Sequence, residues 1–207
     1  WARGHRGEDR FRARFRLWQE EAPPDVIETH MDLEVALDPV RMSTLAEMEV
    51  APGLENLRGT FRGHGRLAGE VSNLRLTGDV SSEAGRVLVT GHLPSDGALR
   101  FDVRTVGPLR LEELVPAAPA PRVGGRGHVL VALPAEGEPE ITLHAQTQPF
   151  LLDEYAIPAL VADARVLDEA LDLTEVRAEV AGGEVTASGT VGFDGQLDLR
   201  VLARVPQ

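Results

Sequence analysis

The chain has no cysteine and no lysine, and only nine of its 207 residues are aromatic. Without cysteine there are no disulfides, no thiolate nucleophile and no thiolate metal site. Compartment stays open, because secreted proteins with enough core also do without disulfides. With so few rings, small aliphatic side chains have to carry the burial. Positive charge is short as well: the 21 basic residues, all arginine, face 33 acidic ones, for a formal net charge of −12. A sequence-independent grip on nucleic-acid phosphates needs clustered positive charge, so nucleic acid is not expected as a partner. No run approaches the ~20 apolar residues of a membrane-crossing helix. The start at Trp1 has neither the basic n-region nor the apolar stretch of a signal peptide. The chain reads as a water-soluble segment of a longer protein, with any membrane anchor outside it.

What the chain does have is alternation. Ile27, Thr29, Met31, Leu33, Val35 and Leu37 interleave with Glu28, His30, Asp32, Glu34 and Ala36, a strand with one apolar face. Phe11 to Leu17 alternates with Arg12, Arg14 and Arg16, and Leu57 to Leu67 alternates with Arg58, Arg62, His64 and Arg66. The same period continues through Leu74 to Val80, Val87 to Leu93, Leu99 to Val103, Val129 to Leu133, Ile141 to Leu143, Leu160 to Val166, Leu171 to Val180, Val185 to Val191 and Leu197 to Val201. About a dozen one-sided strands result, separated by Gly-, Pro- and Asp-rich turns such as Ser95-Asp96-Gly97 and Asp194-Gly195. Helix is expected in two places only: over Val40–Met48, behind an Asp38-Pro39 start signal, and over Leu109–Val115.

A repeat is the most specific signal. Gly85-Arg-Val-Leu-Val-Thr-Gly91, followed by Asp96-Gly97 and Leu99-Arg-Phe101-Asp-Val103, returns 98 positions later. The copy is Gly183-Glu-Val-Thr-Ala-Ser-Gly189, then Asp194-Gly195 and Leu197-Asp-Leu199-Arg-Val201. One hairpin type is used more than once. A looser copy relates Arg62-Gly63-His64 to Arg126-Gly127-His128. The expected organisation is N-terminal strands and a short helix (1–56), a first β block (57–115), a Pro/Ala spacer (116–122) and a second β block (123–207).

Catalytic signatures are missing: there is no His-Glu-x-x-His, Walker A or Gly-x-Ser-x-Gly pattern. Gly63-x-Gly65-x-x-Ala68 lies inside an alternating strand, the wrong context for a dinucleotide loop. Histidines 5, 30, 64, 92, 128 and 144 never stand at i, i+2 or i, i+4 and read as solvated surface residues. Pairs such as Glu112-Glu113, Asp153-Glu154 and Asp168-Glu169 read as solvated turn charge. No catalytic residue, metal ligand or cofactor is assigned.

Ile157-Pro-Ala-Leu160, the Leu171 to Val176 strand and the Gly182-Gly-x-Val-x-x-x-Gly-x-Val pattern running on to Leu199 carry a family style. Over most of residues 27–205 the chain resembles the translocation and assembly module family TamB, within the wider AsmA-like group of diderm bacteria. The resemblance implies an all-β fold: an elongated, curled antiparallel sheet, a U-shaped half-pipe or β-taco with an apolar groove. It further implies a periplasmic segment of an inner-membrane-anchored protein that moves phospholipid between membranes and, with a barrel of the TamA type, supports outer-membrane protein assembly. The Arg-rich first strand is outside that pattern.

Groove residues expected on this basis are Phe61, Leu67, Leu74, Leu76, Val87, Val89, Leu99, Phe101, Val103, Val129, Val131, Ile141, Leu143, Val185, Val191, Leu197, Leu199 and Val201, with phospholipid acyl chains as their ligand. One-sided alternation suits two packed sheets equally well, so a structural or adhesive β-protein with a closed core is the competing expectation. A β-solenoid enzyme comes third, for want of aromatic platforms.

Overall fold

The computed structural model describes residues 2–6, 9–22, 26–47, 58–94, 98–114, 122–132, 140–152, 155–167, 170–180, 182–192 and 196–204. Nearly all of them are strand. In chain order these are β1 (Ala2–Arg6), β2 (Asp9–Ala22), β3 (Val26–Arg41), β4 (Thr60–Glu70), β5 (Asn73–Ser82), β6 (Gly85–Pro94), β7 (Ala98–Thr105), β8 (Leu109–Arg110) and β9 (Arg122–Val123). They continue as β10 (Gly125–Ala132), β11 (Glu140–Thr147), β12 (Phe150–Leu152), β13 (Tyr155–Ile157), β14 (Leu160–Val166), β15 (Ala170–Val180), β16 (Gly183–Gly192) and β17 (Leu197–Arg204). One helix is present among the described residues, α1 (Met42–Glu47).

Thirteen strands form a single antiparallel sheet in the order β1-β2-β3-β4-β5-β6-β7-β10-β11-β14-β15-β16-β17, while β8–β9 and β12–β13 are separate two-stranded ribbons. β1 and β17 lie at opposite edges and do not pair with each other, so the curled sheet stays open rather than closing into a barrel. At ~4.8 Å per strand, thirteen strands span about 58 Å. The two repeat blocks are not separate sheets: β7 pairs directly with β10 across the spacer. Residues 115–121 and the turns at Asp96-Gly97 and Asp194-Gly195 lie outside the described residues, as do Leu57 and Leu133.

The 98-residue repeat is also a repeat of register. Val87 faces Thr105 and Gly91 faces Phe101, just as Val185 faces Ala203 and Gly189 faces Leu199. Val80 faces Val87 as Ala178 faces Val185.

The helix expected over Val40–Met48 is present but starts later, and the one expected over Leu109–Val115 is not an α-helix. Asp38-Pro39 does not start a helix; β3 runs on to Arg41, and α1 is described over Met42–Glu47, with Met48 outside the described residues. The register slips by one residue between Leu37 and Val40, so Asp38-Pro39 forms a bulge, where a residue lacking N–H costs no ladder bond. In the second stretch Leu109–Arg110 pairs with β9, and Leu111–Glu113 makes one 3-10 turn. Val115 lies outside the described residues.

Packing is thin. Among the described residues the buried apolar ones are Val40, Met42, Leu74, Ala84 and Ala164, and the accessible surface is 14033 Å². A compact protein of 22.4 kDa would expose only about 9,400 Å² by the usual size scaling. The expectation of a sandwich core finds no second layer among the described residues.

Among the described residues the fully buried polar side chain is Asp9, 2 % exposed, at the start of β2. Its Oδ1 accepts from the Arg41 backbone N–H at 3.3 Å and from Arg41 Nε at 3.1 Å, and its Oδ2 accepts from the Thr44 hydroxyl. This carboxylate ties β2 to the end of β3 and to the first turn of α1. The Thr44 hydroxyl, seconded by Arg41, holds the Asp9 carboxyl below the usual carboxylate range against the opposing effect of burial.

A folded-state pKa below the unfolded value of about 3.9 means the contribution is complete above that value and is lost as pH falls through the folded pKa. Asp9→Asn should therefore lower the urea midpoint at pH 7. The gap between wild type and variant should close as pH is taken below about 4, followed by urea titration at stepped pH.

Candidate functional site

Register turns the alternation of single strands into rows that cross the whole sheet. One row reads Ala2, Ala13, Val35, Gly65, Gly78, Val89, Val103, Gly127, Ala145, Ala162, Val176, Ala187, Val201. From β2 onward each of the twelve sheet strands contributes an Ala, a Gly or a Val to this lane. The next row is larger: Phe15, Leu33, Leu67, Leu76, Gly91, Phe101, Val129, Leu143, Ala164, Leu173, Gly189, Leu199. Beyond it lie Leu74 opposite Leu93, and Leu99, Val131, Ile141, Val166, Leu171, Val191 and Leu197 in succession. Paired residues of an antiparallel ladder point to the same side, so a lane of small residues is bordered by taller aliphatic and aromatic ones.

The eighteen expected groove residues all fall on this face. Leu67, Leu76, Phe101, Val129, Leu143 and Leu199 share the tall row; Val89, Val103 and Val201 lie in the small-residue lane. Leu74, Leu99, Val131, Ile141, Val191 and Leu197 make the outer row, and Val87 and Val185 sit on the other side of the lane with Phe61 at its end. Leu74 is buried, whereas Leu197 and Val201 on the edge strand are about 60 % exposed. The repeated glycines set the local relief. A Cβ on Gly91 would stand 2.6 Å from the Phe101 ring and 2.7 Å from the Arg100 carbonyl. The Phe101 ring thus lies over β6 in space that only glycine leaves. Gly189, with φ +137°, holds the equivalent place opposite Leu199, and a Cβ there would meet the Asp198 carbonyl.

The opposite face is charged. Arg66 donates to Asp32 at 2.9 and 3.2 Å, Arg86 donates to both oxygens of Asp79, and Arg165 meets Glu140 at 3.2 Å. These guanidiniums hold the Asp32 and Asp79 carboxyls below the ordinary range. Exposed pairs of this kind contribute about 0–1 kcal/mol each; what they add is a preference for one register.

Two features of this face were hidden in the linear spacing. His128 is the direct partner of His144, and the outer strands supply each with a carboxylate: His128 Nδ1 is 3.1 Å from Asp102, and His144 Nδ1 is 2.7 Å from Asp163. In the neighbouring row Arg104 stands opposite Arg126. A hollow of about 430 Å³ is lined by Thr90, Arg104, Arg126, His128, His144 and Gln146, among others. Positions 128 and 144 share the register of every other β10–β11 pair, the one signal that would have found them. Among the described residues no group of three or more His, Asp or Glu side chains is placed to hold a metal ion, and no helix is long and apolar enough to cross a membrane.

The class so defined is an open, single-layer antiparallel β-sheet with one continuous apolar face and one charged face. No family model, curated protein or solved structure matches the chain.

Gly189→Ala should cost about 1–3 kcal/mol in stability, the range for forcing a side chain into a backbone conformation it rarely adopts. Equilibrium urea unfolding of the two proteins measures it.

Proposed function

We propose that this chain is a length of a periplasmic lipid-conducting bridge. Phospholipid acyl chains lie along the apolar face, and the parent protein carries them between inner and outer membranes while supporting outer-membrane protein assembly. The observation behind this reading is the set of aliphatic rows that crosses the sheet without a covering layer among the described residues. An acyl chain gains about 0.8 kcal/mol per buried methylene on such a surface, with no need for a specific contact. Many individually weak residues suit a ligand that must slide, and a lane of Ala, Gly and Val bordered by Leu and Phe gives an unbranched chain a path. The resemblance to the TamB family supports the same reading and adds a membrane anchor, and contact with a TamA-type barrel, through parts of the parent outside this chain. No catalytic group or cofactor is invoked.

The test is native mass spectrometry of the chain purified from a bacterial periplasm, followed by extraction of bound lipid. Co-purifying phospholipid is expected. It should be lost in Leu199→Asp, placed where the wild-type side chain is 40 % exposed, and in Phe101→Asp, with folding checked by far-UV circular dichroism. A folded chain that holds no lipid and takes up none when phospholipid is added overturns the proposal in favour of a purely structural β-protein. Lipid retained unchanged by both folded variants overturns the groove.

A further inference from the structure

The hollow on the charged face has an electrostatic anomaly. In a chain of net charge −12, Arg104 and Arg126 stand directly opposite one another on β7 and β10. Like charges in that position are destabilising. Neither guanidinium has a carboxylate partner among the described residues; Arg126 is instead oriented by Gln146 Oε1, 3.0 Å from Nε and 2.6 Å from Nη2.

The sheet has other like-charged oppositions on this face: Glu20 with Glu28, Asp163 with Glu175 and Glu179 with Glu184. His30 Nε2 sits 3.8 and 3.4 Å from the Glu20 and Glu28 carboxylates. Arg177 Nη2 stands 3.1 Å from Glu175, whereas neither arginine of the Arg104–Arg126 opposition has an ion-pair partner among the described residues. Asp102, the nearest carboxylate on Arg104's own strand, is taken by His128.

We propose that the hollow holds a phosphate-class anion between Arg104 and Arg126, with His128 and His144 bordering it. The donor set fits: two guanidiniums from adjacent strands, one pre-set by Gln146, and the Thr90 hydroxyl at the rim. A planar guanidinium fork matches phosphate oxygens two at a time. Asp102 and Asp163 fix the two imidazole rings through Nδ1, which leaves their other edges to the hollow. The anion is a free phosphate ester or the headgroup of an anionic lipid. The site lies on the face opposite the aliphatic rows, so it is independent of the acyl-chain reading.

Isothermal titration with inorganic phosphate and with glycerol 3-phosphate tests the site, alongside flotation with phosphatidylcholine vesicles with and without phosphatidylglycerol. Saturable one-to-one binding is expected for at least one of these probes. Arg104→Gln and Arg126→Gln should each weaken it about tenfold or more, the usual loss for one charge-assisted bond. Arg200→Gln, the same charge change on the edge strand, should leave it within about twofold on the same scale. Binding of soluble phosphate identifies a free ester, whereas binding only to vesicles containing phosphatidylglycerol identifies a headgroup.

Thermal melts separate this role from a structural one. In anion-free buffer Arg104→Gln should be at least as stable as wild type, and phosphate should raise the melting temperature of wild type alone. The proposal fails if no probe binds, or if Arg200→Gln weakens binding as much as Arg104→Gln does. Retained binding in Leu199→Asp shows that this site stands whether or not the acyl-chain reading does.

Discussion

Everything in this molecule depends on the strand pairing keeping its two faces separate. A slip of one residue between any two strands would move a whole strand's aliphatic side chains into the charged rows. No such exchange occurs across the sheet, and where the alternation breaks, a bulge restores it. On β15 the apolar positions shift from odd (Leu171, Leu173) to even (Val176, Ala178), and the ladder slips between Leu173 and Val176 with exposed Thr174 as the extra residue. On β3 the bulge at Asp38-Pro39 turns even-numbered Val40 inward, opposite Phe61, where it is buried. Crossed ion pairs on the other face, such as Arg66 with Asp32, add a penalty for misalignment even though each contributes little by itself.

Local periodicity made the strands legible one by one, because a half-exposed strand needs nothing beyond its own alternation to declare its faces. Assembly followed from the turns: consecutive strands pair throughout, apart from the two places where a ribbon intervenes. The expected helix start at Asp38-Pro39 and the second expected helix failed for physical reasons. Asp-Pro is a start signal only if the chain is free to coil, and here Leu37 and Val40 were already committed to the ladder with β4. Leu109 to Glu113 has helix-compatible composition, yet Leu109 packs over Gly85, where even a Cβ would stand 2.7 Å from it, and that contact holds the segment extended.

The apolar face was foreseeable residue by residue because it uses one phase of every strand. The charged hollow was not, since it depends on which residue of one strand meets which of the next. His128 and His144 are sixteen positions apart and look unrelated until the hairpin is folded. Arg104 and Arg126 sit on either side of the spacer. Sites of this kind are written in sums of residue numbers rather than in motifs.

Each sheet strand pairs with no more than two others, and the order follows the chain. Such a body is nearly one-dimensional: its free energy is a chain of nearest-neighbour terms, as in stacked repeat proteins. Length is then a quantised quantity. Inserting or deleting one hairpin changes the span by about 9.6 Å and leaves strand direction, and both faces, in phase. An odd number of strands would reverse everything downstream. A gene encoding such a sheet can be lengthened or shortened to fit a gap by copying hairpins, and the register shared by residues 85–105 and 183–203 is the trace such copying would leave.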